Sequence, residues 1–368
     1  MRLLICIGML AVAAGCGSPG VPEPPSLELA RPVRDLKAFR KGDEVHLNWS
    51  VSTETTDHHI FRHAGAMQIC RGLGQALHTC GTPVTEQTTP TLSDSQKSGK
   101  VHNHSAGRSP NPQASYTDHL SPTLEMQSPA SNLVYAVNIL NSYGKSAGLS
   151  NQVRVPSAPT LPAPSGFGAK LTSQGVNLTW TPVSVPPEIP KLRYAYRIYR
   201  RDGKTGNDSI AGEVPVMGTT TPNLLDTSFV WEETYDYRAT VVTFIEDPSA
   251  LEQVEGEDTS SLRIVAHDIF PPATPTGLEA AYSGPGQRPF VDLIWNASSE
   301  PDFAGYNVYR SETNSQVTKI NNDLVKVPAF RDSSVVPGHK YSYSVTAVDV
   351  RGNESPASEK SSENVPAM

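Results

Sequence analysis

The chain has 368 residues, of which 37% are hydrophobic and 18% charged, with 32 prolines, 27 glycines and a net charge of −7. That length exceeds what one hydrophobic core usually serves, so two or three domains are expected. The acidic balance excludes a nucleic-acid binder built on clustered Lys and Arg, and frequent Pro and Gly punctuation favours short strands and turns over long helices.

In chain order the first element is "MRLLICIGMLAVAAGC". Arg2 supplies a positive start, Leu3 to Val12 form an apolar stretch too short to span a bilayer, and Ala13, Ala14 and Gly15 lead to Cys16. This segment resembles the lipobox of bacterial lipoproteins, with Ala13 where that pattern prefers Leu. The resemblance implies a signal peptide over residues 1–15, cut before Cys16, and lipid on Cys16. Two or more acyl chains would anchor the protein stably to a membrane, since one alone is marginal. Residues 16–30 read as a Pro-rich, semi-rigid tether. Gly17 and Ser18 lack the Asp that holds enterobacterial lipoproteins at the inner membrane, so the expected address is the bacterial cell envelope, with the outer membrane favoured. With Cys6 removed and Cys16 lipidated, Cys70 and Cys80 are left, and outside the cytoplasm a disulfide is the default for such a pair.

A repeat follows. "VHLNWS" (45–50) returns as "VNLTWT" (176–181) and "VDLIWN" (291–296). Aligned on Trp49, Trp180 and Trp295, an apolar residue soon after a proline precedes each: Leu36, Phe167 and Leu278. Downstream, "HHIFR" (58–62), "YRIYR" (196–200) and "YNVYR" (306–310) fall into register. So do "LVYAVNI" (133–139), "YDYRATV" (235–241) and "YSYSVTA" (341–347). Their period-2 alternation of Val, Ile, Tyr and Thr predicts strands. Asp226 and Asp332 each lie nine residues before a tyrosine, Tyr235 and Tyr341. "NSYGKSAGLSN" (141–151) and "DVRGNESPASE" (349–359) both read as strand, Gly-bearing turn and final strand.

Taken together these motifs resemble the fibronectin type III domain. The resemblance implies an all-β chain of three consecutive immunoglobulin-like sandwiches after a cleaved signal peptide. Trp49, Trp180 and Trp295 would be central core residues, and Tyr235 and Tyr341 tyrosine-corner residues whose hydroxyls return to nearby backbone. In the first repeat Leu133 holds the corner position, so that hydrogen bond should be missing. The expected domains are 31–156, 157–268 and 269–366, joined by "VPSAPTLPAPSG" and "DIFPPATPTG" in a semi-extended string.

The first repeat is longer than the others, which places an insertion at about 64–115, with a short helical turn pinned by Cys70–Cys80 and then a polar loop. His78, His102 and His104 are the candidate metal ligands there. Against them, the Cys70-x7-His78-x-Cys80 spacing matches no usual zinc pattern and disulfide sulfurs do not ligate, so no metal is assigned. "RRDGKTGND" (200–208) reads as a hairpin turn because Lys204 and the carboxylate spacing do not suit a calcium loop. No catalytic or cofactor motif is present, and no catalytic residue or cofactor is assigned. Trp231 is the one aromatic left outside the core assignments; it packs at a domain corner or stands exposed.

The expected function is a non-enzymatic, lipid-anchored envelope protein whose sandwiches bind an envelope or extracellular protein or act as a spacer. No nucleic-acid partner is expected. Two alternatives stand beside it: an accessory factor in envelope biogenesis, although Pro19 stands where the small lipoproteins of the lipopolysaccharide translocon carry Lys, and an accessory portion of a secreted hydrolase system.

Overall fold

The computed structural model describes residues 27–89, 112–185, 187, 189–217, 221–246, 251–312 and 315–367. Cys16, His102 and His104 lie outside them. The chain forms two compact units. One holds the residues up to Leu161 together with Pro186–Tyr194 and Val242–Glu257, and the other holds Pro162–Val185, Ala195–Val241 and the residues from Asp258 onward. Among the described residues no helix is long and apolar enough to cross a membrane.

The first repeat consists of β1 (Lys37–Lys41), β2 (Glu44–Ser50), β3 (Ala64–Leu73), β4 (Thr85–Thr88), β5 (Gln113–His119), α1 (Pro122–Gln127), β6 (Asn132–Asn141) and β7 (Val153–Pro156). One sheet runs β1-β2-β5 and the other β4-β3-β6-β7. Alternation sets the inward face of each strand. On β2, Val45, Leu47 and Trp49 are buried and meet Met67 and Ile69 of β3 and Leu133, Tyr135, Val137 and Ile139 of β6. The β1–β2 turn needs Gly42, whose φ of 58° is left-handed.

The second repeat has β8 (Gly168–Thr172), β9 (Gly175–Thr179), β10 (Leu192–Asp202), β11 (Asp208–Pro215), β12 (Asn223–Asp226), β13 (Thr234–Glu246), β14 (Leu251–Glu255) and β15 (Leu262–Val265). β8-β9-β12 form one sheet; in the other, β10 lies between β11 and β13, and β15 pairs with the start of β13. The end of β13 turns back as β14, and within the first unit Lys41 of β1 pairs in parallel with Glu255 of β14, their side chains meeting at 2.8 Å.

The third repeat has β16 (Glu279–Tyr282), β17 (Val291–Ile294), β18 (Phe303–Glu312), β19 (Thr318–Lys319), β20 (Ala329–Asp332), β21 (Lys340–Asp349) and β22 (Ser361–Asn364). Its sheets run β16-β17-β20 and β19-β18-β21-β22. Three strands facing four recurs in each repeat, so the chain is an all-β protein of fibronectin type III-like sandwiches.

Two features depart from the sequence reading. "HHIFR" is not the third strand of the first repeat: His58 sits in a turn at φ 66° and Ile60 only bridges Glu54. The strand is β3, where Arg71 pairs with Tyr135 as Arg310 pairs with Tyr343 in the third repeat. An insertion starting at 64, with a helical turn, is therefore incorrect. Ala64–Leu73 is laddered to β6, and the extra residues fall between Leu73 and β5, on either side of β4. The second departure is α1, a six-residue helix begun by Ser121, whose hydroxyl accepts from the Leu124 amide at 3.3 Å. Its Glu125 forms a buried pair with Arg40 of β1. Burial drives the Glu125 pKa up and the Arg40 pKa down, and their mutual attraction opposes both.

Candidate functional site

Trp49, Trp180 and Trp295 are 1%, 2% and 6% exposed. Trp180 meets Tyr196 edge-on at 5.2 Å and Trp295 meets Tyr306 at 5.1 Å; in the first repeat Met67 holds the equivalent β-strand position. The Tyr235 hydroxyl accepts from the Val230 amide at 3.0 Å and the Tyr341 hydroxyl from the Val336 amide at 2.9 Å. Leu133 is buried at the matching place with no hydroxyl to offer. Cys70 and Cys80 form a disulfide with Cα atoms 5.0 Å apart. His78 is exposed and belongs to no potential metal cluster among the described residues. The 200–208 segment is a turn between β10 and β11, with Asp202 Oδ1 accepting from the amides of Lys204 and Thr205 at 2.9 and 2.7 Å. Reducing Cys70–Cys80 is expected to destabilise the first repeat by about 3 kcal/mol through restored freedom of the short loop. Calorimetry with and without dithiothreitol checks this, with only the transition of that repeat moving.

A buried Arg–Asp–Tyr clip, which the sequence reading did not recognise, recurs in all three repeats. In the third, Asp332 accepts from Arg310 at 2.8 Å, Tyr343 at 3.0 Å, and the Ser334 hydroxyl and amide at 2.6 and 3.0 Å. The second repeat uses Asp226, Arg200, Tyr237 and Ser228 in the same way. The first uses Asp118, which accepts from Arg71 and Tyr135, each at 2.6 Å. Burial raises the pKa of Asp226 and of Asp332, but the hydrogen bonds and the guanidinium outweigh it and hold both carboxyls below the ordinary range. The three tyrosines are pushed up, first by burial and then by the carboxylate. These are charges consumed by the scaffold, positioned to clip one sheet to the other rather than to meet a substrate.

The second unit contains a different kind of site. A cleft of about 670 Å³ is lined by Trp231, Phe270, Asp268, Glu300, Asp302 and Arg351, with Ser173, Pro271, Ala273 and Pro301 completing the wall. Trp231 stands in the turn before β13, where Glu232 takes φ 66°, and is packed edge-on against Phe229 at 4.8 Å with Phe270 at 6.1 Å. The Phe270 amide donates to Asp268 Oδ1 at 3.1 Å, which holds the backbone that carries the ring. Arg351, in the turn after β21, reaches Glu232 Oε1 at 3.2 Å and Asp268 Oδ2 at 3.3 Å. Asp349 folds that turn by accepting from the amides of Arg351 and Asn353, each at 2.8 Å. Desolvation pushes the Asp349 pKa up, but the Asn353 side chain and these amides outweigh it and leave the carboxyl lowered. Glu232 is lowered chiefly by its hydrogen bond with His267.

Asp268, Asp302 and Asp349 each bring a carboxylate oxygen within 4.8 Å of the others, which spans the reach of a calcium ion with bonds of about 2.4 Å. Three ligands are few for that ion, which takes about 6–8. Two of these carboxylates are already engaged, Asp268 by Arg351 and Asp349 by its own turn, so the trio is not assigned as a metal centre. The lining comes from five separated stretches of chain, and of these only Trp231 was singled out by sequence.

No protein-family model matches the chain. An amylopullulanase of Thermoanaerobacterium saccharolyticum is 38% identical over 88 residues, which is 24% of this chain and 6% of that protein. The amylopullulanase of Thermoanaerobacterium thermosulfurigenes is 35% identical over 88 residues, 24% of this chain and 4% of that protein. The chain thus matches only a small fraction of the length of these relatives. Among solved structures, a Fn3-like protein from Clostridium thermocellum is 33% identical and covers 27% of this chain and 98% of its own, with a TM-score of 0.23. The FN1-FN3 domains of chicken CNTN1 are 14% identical and cover 92% of this chain and 99% of their own, with a TM-score of 0.25.

Proposed function

We propose that the chain is a non-catalytic, lipid-anchored protein of the bacterial cell envelope, tethered through Cys16, whose β-sandwiches bind a protein partner. The observation that supports this most directly is the repeated clip. In each of the three sandwiches a buried carboxylate, that of Asp118, Asp226 or Asp332, holds an Arg and a Tyr in place. A scaffold repeated in this way presents surfaces rather than a reaction centre. The lipobox-like segment and the Pro-rich stretch after it support the anchor and a stand-off from the membrane.

The test has two arms. Labelled palmitate is expected to enter the protein in a bacterial host, and Cys16→Ser is expected to abolish the label and release the chain from the membrane fraction. Crosslinking in intact envelopes is expected to capture a protein neighbour reproducibly. Retention of the Cys16→Ser chain in the membrane would overturn the anchor, and the absence of any protein neighbour would overturn the binding role. The 88-residue likeness to amylopullulanases favours a second reading, an accessory module of a secreted hydrolase system. On that reading the full chain binds pullulan or co-purifies with an enzyme acting on it.

A further inference from the structure

We infer that the Trp231 cleft is a receptor for a basic side chain, arginine above lysine, presented by a partner protein. The inference rests on the protein-binding reading above and names the chemistry of that partner.

Charge complementarity comes first. Asp268, Glu300 and Asp302 line the cleft, and Glu232 and Asp349 adjoin it through their contacts with Arg351 and its turn. Against these five carboxylates the cleft offers one guanidinium, that of Arg351. That guanidinium is already spent on Glu232 and Asp268. Asp349 is occupied by its turn, and one oxygen of Glu300 accepts the Ala273 amide at 2.8 Å. Asp302 is different: among the described residues no hydrogen bond or ion pair reaches its carboxylate, although it is half-buried in the cleft wall. A half-buried carboxylate in an acidic cleft attracts a cation far more than an exposed one does.

The aromatic wall narrows the kind of cation. Trp231 is the only one of the four tryptophans outside a dry core, and a tryptophan face is the strongest cation–π surface among side chains. Phe270 and Pro271 extend the apolar wall. A cleft of about 670 Å³ is many times larger than a bare ion and matches pockets that take whole organic groups. A guanidinium suits it best, because its plane stacks on an indole while its fork meets a carboxylate with two parallel N–H groups. The scaffold already holds one guanidinium, that of Arg351, between the carboxylates of Glu232 and Asp268. The bound side chain would add a second on the Asp302 side.

Trp231 also provides the measurement, since the other three indoles are buried and insensitive to ligand. The full chain in detergent micelles is titrated with tri-arginine, and separately with tri-glutamate, calcium chloride alone and a malto-oligosaccharide. Tryptophan fluorescence is followed and the affinity confirmed by calorimetry. Tri-arginine is expected to give a saturable change that weakens as salt rises. Asp302→Asn is expected to lower the affinity at least tenfold with its melting temperature unchanged, and Trp231→Ala to lower it as far by calorimetry. Equal tri-arginine binding by Asp302→Asn overturns the inference. So does saturation by calcium alone, which would make the trio a metal site, and so does saturation by the oligosaccharide. If tri-arginine fails while a protein neighbour is still crosslinked in the envelope, this inference falls by itself. If both fail, the protein-binding reading falls with it.

Discussion

Replacing Trp295 by alanine is expected to destabilise the third repeat by about 3–5 kcal/mol, and Trp180→Ala to do the same to the second. The indole at 295 sits among Val291, Leu293, Tyr306, Val308 and Tyr343, so truncation opens a cavity that strands from both sheets must relax around. Burying about 150–250 Å² of aromatic surface at roughly 25 cal/mol per Å² contributes about 4–6 kcal/mol. The ring nitrogen works against that gain, because the indole N–H groups of Trp49, Trp180 and Trp295 are all buried without a hydrogen-bond partner. Each unsatisfied donor costs about 1–3 kcal/mol. Trp295→Phe, which removes the donor and keeps most of the ring, is therefore expected to lose much less than Trp295→Ala. Differential scanning calorimetry of both variants decides the matter. If the two lose equal stability, the donor has no cost, and if neither moves the third transition, the indole is not a core residue.

The Trp spacing made the sandwiches legible because a buried aromatic on a central strand is the most constrained position of the fold. The register of the corner tyrosines followed for the same reason. The slip at "HHIFR" has a local cause: Ile60-x-Arg62 and Ile69-x-Arg71 carry the same alternation nine residues apart. What selects the second is Asp118, 47 residues further on, whose carboxylate receives Arg71. A long-range ion pair leaves no trace in a window of ten residues. Helix α1 escaped because six residues give less than two turns of periodicity, and its anchor, Arg40, is 85 positions away from Glu125. The Trp231 cleft was legible in one residue only. Of its acids, Asp268 sits in the joint "DIFPPATPTG", the adjoining Asp349 in the turn-bearing "DVRGNESPASE", and Glu300 and Asp302 in "SSEPD", which carries no motif; only folding brings these stretches together.

Asp332→Ala is expected to cost the third repeat about 3–5 kcal/mol, because it strands a partly buried guanidinium and a buried phenol at once. The Arg310 and Asp332 side chains are 20% and 3% exposed, so water replaces little of what is lost. The same guanidinium lies 5.1 Å from the centre of the Tyr341 ring, which couples the clip to the tyrosine corner. Acid should reproduce the effect in the unmodified chain. The folded pKa of Asp332 is held below its unfolded value, which is about 3.9. Its contribution is therefore complete above that unfolded value and disappears as the pH falls through the depressed folded one. Asp226 obeys the same sign, so the second and third repeats should both weaken as the pH drops below about 4. Asp332→Asn keeps the shape and removes the titration. Denaturant melts between pH 7 and pH 3 should then show a flatter acid limb for the third repeat and an unaltered one for the second. An identical acid limb in both would mean that the clip carboxylates are not the groups whose protonation unfolds these sandwiches.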